Sequence, residues 1–170
     1  MTITQREIRK LWDRSMLSHG FERVKNSTKS HIISSEFSVI ILDLDYAPLI
    51  REYSGMCSIY LSHLGDTPLN KSSSNTKKES YNFMYISVSG IVEANTQDAI
   101  LGVRGEEGLY PKDDFLLMLE QNETYVLPVL KQCLNEKGLL EFYKKYNPES
   151  LGLVCKDLWA WADLKIESMA

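Results

Sequence analysis

The sequence is poor in the residues that build covalent or metal-held frameworks. It has three cysteines, Cys57, Cys133 and Cys155, an odd number with no CxxC among them. That excludes a disulfide scaffold and a zinc ribbon, and predicts reduced thiols, at least two of them buried among their apolar neighbours. It has three histidines, His19, His31 and His63, with no HxH or HExxH. Zinc sites need three or four converging ligands, so none is expected. Apolar runs such as Val39-Ile40-Ile41-Leu42 fall far short of the roughly 20 residues that span a bilayer. The first residues, Met-Thr-Ile-Thr-Gln-Arg-Glu, carry no apolar signal region, which points to a cytoplasmic protein. There is no GxGxxG and no GKS/T; Gly102-Val-Arg-Gly105 is followed by Glu106-Glu107, where a phosphate cradle wants positive potential. Ser89-Gly90 lacks the frame of a nucleophile elbow.

What is present is ordinary in amount and uneven in placement. Of 170 residues, 44% are apolar and 25% charged, as in a soluble globular chain. That length predicts one domain over residues 1–170, with a core large enough to need no staple. The net charge is −4. Residues 1–80 carry a net +2 and residues 81–170 a net −6. The whole of that −6 lies within 93–123, which holds Glu93, Asp98, Glu106, Glu107, Asp113, Asp114, Glu120 and Glu123 against Arg104 and Lys112. Such a block repels nucleic acid and attracts basic partners.

Thr4-Gln-Arg-Glu7 has the form of a capping box, and Ile8, Leu11, Trp12 and Ser15 recur at helical spacing up to Gly20. This predicts a helix over 5–19. Residues 21–28 read as a polar turn. Strand signals follow at 31–33, 37–46 and 56–64, the last with Cys57, Ile59 and Leu61 on one face. Residues 65–80 form a polar loop, expected to be mobile, and strand character returns over 81–92. With no helix between them, these strands predict an antiparallel meander. The last third reads as helical: 115–119 behind Asp113-Asp114, 124–134 with Pro128 in its first turn, 136–146 closed by Asn147-Pro148, and 156–169. The expected fold is α+β, an antiparallel sheet of about four strands with the N-terminal helix and the helical third packed on one face.

Two constellations bear on chemistry. Asp43 and Asp45, at strand spacing, point the same way and have the oxygen chemistry to share a divalent cation. A metal-dependent hydrolase would need a histidine brought to them by the fold. A strand running out of the core at Tyr46-Ala47-Pro48 is the simpler reading. Trp159 and Trp161 lie about 200° apart on a helix, so one faces the core and the other is free to anchor a partner.

The order of a helix ending in Gly20-Phe21, a strand containing His31, paired strands at 37–46 and 56–64, Val126-Leu-Pro-Val-Leu130 and Gly138-Leu-Leu-Glu-Phe142 resembles a family of small uncharacterised bacterial α+β domains. Those domains are similar to immunity proteins of toxin–immunity systems, including contact-dependent inhibition. The resemblance covers most of residues 5–145 and leaves out 147–170. It implies a cytosolic protein without catalysis or cofactor, which neutralises a cognate toxin domain by occluding its active site. A toxin that cuts nucleic acid has a basic cleft, which an acidic surface would match. The residues expected to meet it are Glu106, Glu107, Asp113, Asp114, Trp159 and Trp161, with neither nucleic acid nor membrane as partner. A hydrolase using Asp43 and Asp45 and a non-enzymatic adaptor are the alternatives.

Overall fold

The computed structural model describes residues 1–68 and 83–170. In chain order the elements are β1 (Thr2–Thr4), α1 (Gln5–Ser18), β2 (Glu22–Arg23), β3 (Ser30–Ser34), β4 (Ser38–Ala47), β5 (Glu52–Leu61) and β6 (Phe83–Ser87). Then come α2 (Ser89–Glu93), β7 (Val103–Arg104), β8 (Leu109–Pro111), α3 (Lys112–Gln121), a π-helical turn (Asn122–Val126) and α4 (Leu127–Gln132). The chain closes with α5 (Glu136–Tyr146), a 3₁₀ turn (Pro148–Ser150), β9 (Gly152–Val154) and α6 (Lys156–Ser168).

Helix α1 begins and ends as its sequence dictates. Thr4 and Glu7 form the reciprocal capping box. At the other end Gly20, at φ +85°, donates to Leu17, and Phe21 donates to Met16. This is a Schellman motif, and the left-handed residue in it favours glycine.

The sheet runs β2-β3-β4-β5-β6-β9, antiparallel throughout, and β7 takes the same edge of β5 as β6, at Glu52 and Tyr53. Among the described residues it therefore has seven strands, not about four. The four longest, β3 to β6, are those expected. The additional β2, β7 and β9 are two or three residues long, too short to show an alternating pattern. A separate two-stranded sheet pairs β1 with β8. The polar turn at 21–28 is the β2–β3 hairpin.

Alternation along the strands decides what is core. Ile40, Leu42 and Leu44, Cys57, Ile59 and Leu61, and Met84, Ile86 and Val88 all belong to one buried cluster. The helices add Ile8, Trp12 and Met16, Phe115 and Met118, Leu127 and Leu130, Leu139 and Phe142, and Leu158 and Ala162 to the same cluster. One sheet face thus carries the helices, as anticipated. The opposite parity presents Asp43, Asp45, Tyr85 and Leu153; Tyr85 pairs with Leu153 at the β6–β9 edge.

Three sets of boundaries differ from the sequence expectation; the strand expected at 56–64 runs Glu52–Leu61, its start extended by pairing with β4 and β7. The strand predicted to reach residue 92 ends at Ser87, and Ile91 and Val92 are buried from α2 instead. Apolar residues at short spacing satisfy a strand and a single helical turn alike. Its first residues, like most of the 65–80 loop, lie outside the described residues. The helices at 115–119 and 124–134 are one continuous helical run over 112–132, widened by the π turn. Leu127 donates to Asn122, five residues back. The wide turn immediately precedes Pro128, whose ring clashes with the carbonyl four residues earlier in a regular helix.

Candidate functional site: an acidic surface with exposed leucines

The acidic block occupies the end of α2, the loop into β7, the β7–β8 hairpin and α3. Two local devices hold it. At the hairpin, Glu106 and Leu109 exchange both backbone hydrogen bonds at 2.9 Å, with Glu107 at φ +50° and Gly108 at φ +81°. Positive φ at both central residues is the type I′ turn that matches strand twist. It projects Glu106 and Glu107 into solvent. In the preceding loop, the buried Gln121 side chain accepts from Ile100 N–H and donates to the Asp98 carbonyl, both at 2.8 Å. This amide clamp seats Asp98 beside α3. Asp98, Leu117, Glu120 and Thr124 line a groove of about 350 Å³. Glu106, Glu107 and Leu109 line another of about 510 Å³, together with Thr2 and Arg104.

Glu93, Asp98, Glu106, Glu107, Asp113, Asp114 and Glu120 are all exposed. Among the described residues, none of these seven forms an ion pair. Glu123 is set apart: its carboxylate accepts from Ser15 at 2.6 Å and joins α1 to the π turn. Arg104, one of the two bases in the block, donates to Glu52 at 2.7 Å. Its charge is thereby matched by an acid from outside the block, which leaves the surface more negative than sequence counting suggests. Leu101, Leu109, Leu116 and Leu117 lie on the same segment, each 39–47% exposed. Acids without counter-ions, interleaved with solvent-facing leucines, make a surface that salt-bridges and buries apolar area at once.

The two tryptophans divide as their spacing requires. Trp159 is 46% exposed. Trp161 packs its ring 5.1 Å from His63 and 5.9 Å from Phe37. Trp161 therefore serves packing at the end of the sheet and is not free as an anchor. His63 lies in the turn after β5, not in the strand expected for it.

Asp43 and Asp45 do share a sheet face, but the histidines are engaged elsewhere. His31 lies on the core parity, pairing with Leu42, and bonds Asp13. His63 is stacked on Phe37. Asp43 instead takes a hydrogen bond from Ser30; burial, then repulsion from Asp45, raises its carboxyl above the usual range. Among the described residues no three His, Cys, Asp or Glu side chains converge to hold a metal ion. Cys57 and Cys133 are buried, and burial pushes both thiols far up, away from the reactive thiolate. No described helix is long and apolar enough to cross a membrane.

Gln121 and the Arg104–Glu52 pair were not legible in the sequence. Each depends on which distant backbone lies opposite. Only the X-Gly pair at Glu107-Gly108 carried a local turn signal.

Comparison with protein-family models, curated proteins and solved structures returned no match.

Proposed function

We propose that this protein works by binding a basic protein partner through the acidic surface of the β7–β8 hairpin and α3, as an immunity protein blocks its toxin. The observation that carries the reading is the set of seven exposed acids without counter-ions, set among four exposed leucines on one continuous segment. Unpaired surface acids speed encounter with a basic cleft, and exposed leucines supply apolar area that holds the complex once formed. In this reading a nuclease is the favoured class of toxin, because its phosphate-binding cleft must be basic. Inhibition is steric and electrostatic, and the chain contributes no chemistry of its own. Trp159, exposed on α6, is a second contact if the partner extends that far.

The test is to express the C-terminal domain of the protein encoded in the neighbouring reading frame, as the candidate toxin, with and without this chain. Rescue of growth and a stable complex between the purified proteins are expected. A neighbouring product that is harmless, or that this chain neither binds nor neutralises, overturns the reading.

A further inference from the structure

We propose that the groove between α1 and the β2–β3 hairpin binds a compact, multiply charged phosphate group, of the size of a di- or triphosphate. The groove has a volume of about 420 Å³ and is lined by Gln5, Arg6, Arg9, Lys10 and Thr28. Three cations share it, and no described acid lines it. The neighbouring acids are committed elsewhere. Glu7 takes both the N–H and the hydroxyl of Thr4 at 2.8 Å in the capping box. Asp13 is held by Arg23 and His31. None of Arg6, Arg9 and Lys10 forms an ion pair with a described residue. Glu7 lies close enough to feel the charge of Lys10 but makes no ion pair with it; the three like charges still outnumber it, raise the local potential and favour an anion between them.

A second observation points to the same ligand. The Nε–H of Arg9 is shielded from solvent and has no acceptor. Buried donors without acceptors are rare and costly. The Arg9 side chain is only partly buried; with a phosphate in the groove its guanidinium turns outward, so that one anion takes Nε–H and a terminal N–H in the forked geometry arginine forms with phosphate. Lys10 and Arg6 neutralise further oxygens, and the Thr28 hydroxyl is a neutral donor across the groove. The Gln5 amide already donates to Tyr110 at 3.2 Å, which fixes that end of the groove against β8.

Size and charge select a short anion over a polymer. Gln5 to Lys10 spans about 7.5 Å of helix axis at about 1.5 Å per residue. That accommodates two or three linked phosphates. A nucleic-acid strand needs a basic track many residues long and would also meet the acidic surface of a chain whose net charge is −4. Screening over about 8 Å keeps the groove's attraction local, so a compact ligand feels the cations and not the distant acids. This site is independent of the acidic surface proposed for the partner.

The probe is inorganic tripolyphosphate, followed by thermal melting and calorimetric titration at low salt, with sodium sulfate at matched ionic strength as control. Tripolyphosphate should raise the melting temperature and the matched sulfate should not. Arg6→Gln with Arg9→Gln should weaken tripolyphosphate binding at least tenfold while the unliganded melting temperature stays put. Lys10→Gln, at an exposed position, should weaken it about threefold without any risk to folding. Arg9→Lys, which keeps the charge and loses the fork, should also weaken it several-fold. Lys144→Gln with Lys145→Gln, on α5, should leave it unchanged. The proposal is overturned if tripolyphosphate gives no shift, if sulfate reproduces the shift, or if binding survives both the Arg6/Arg9 pair and Lys10→Gln. Tighter binding of a single-stranded RNA oligonucleotide than of tripolyphosphate overturns the compact ligand.

Discussion

His31 Nε2 lies 2.9 Å from Oδ1 of Asp13, and the same carboxylate receives two hydrogen bonds from Arg23, at 2.7 and 2.6 Å. One side chain of α1 thus ties down both strands of the β2–β3 hairpin. The β2–β3 pairing itself is short, since β2 is two residues long. The Trp12 indole adds a bond to the Lys29 carbonyl at 3.1 Å on the same side of the helix.

Asp13→Ala is therefore expected to cost about 2–3 kcal/mol, because it leaves the fully buried His31 without its partner. The effect has a pH signature. Hydrogen bonding from Arg23 chiefly, and from His31, outweighs burial and holds the Asp13 carboxyl below the usual range. A lowered carboxyl stabilises the fold above its unfolded value of about 3.9 and loses that stabilisation as pH falls through the folded value. Urea unfolding of the protein and of the variant should differ fully at pH 6 and converge towards pH 2. A constant difference across that range would mean that Asp13 acts by packing alone.

Asp43 presents the opposite sign. Burial and Asp45 raise its carboxyl, so folding disfavours the ionised form that prevails at neutral pH. Stability from this group is lower above its folded value than below its unfolded value. Asp43→Asn keeps a partner for Ser30 and removes the charge. It should raise stability at pH 7 by up to about 1 kcal/mol and give no gain at pH 3, where the wild-type carboxyl is already protonated. Denaturation midpoints at the two pH values check this, and a loss at pH 7 would show that the ionised carboxylate is needed on that face.

Reversal of the hairpin acids probes the partner surface. Glu106→Lys with Glu107→Lys should slow association with the proposed toxin partner at least tenfold at low salt and weaken its salt dependence. The melting temperature should barely move, since exposed charges typically contribute under about 1 kcal/mol. Lysine at position 107 meets the same positive φ as glutamate does, so backbone strain is unchanged. Stopped-flow association at two salt concentrations beside a melt separates the two effects. Unchanged association would reduce these acids to a solvated turn. Asp113 and Asp114 are poorer probes, because in the first turn of α3 they also complement the helix dipole.

The tryptophans should separate cleanly. Trp161→Ala removes a ring packed on Phe37 and His63 and is expected to cost about 2–3 kcal/mol. Trp159→Ala should alter stability by less than about 0.5 kcal/mol. Paired chemical denaturation curves decide it; equal losses would place Trp159 in the core as well.

Local chemistry determined the α+β class, the capping box, the glycine that ends α1, the buried face of β5 and the helix over 136–146. These depend on neighbours in sequence, because hydrogen bonds at helix ends and side-chain alternation repeat within a few residues. The density of acids over 93–123 was equally plain, as was the fact that Trp159 and Trp161 face different ways; which of them packs and which is exposed was decided by the tertiary structure. The tertiary structure alone decided which acids remain unpaired. Arg104 meets Glu52 across the β5–β7 register, Glu123 meets Ser15, and Gln121 draws Asp98 to α3. It alone also gave three two- or three-residue strands their place in the sheet, turned Ile91 and Val92 into a helix, and gathered Arg6, Arg9 and Lys10 opposite Thr28. Each of these rests on contacts between segments far apart in the chain, and no periodicity along a single segment carries that information.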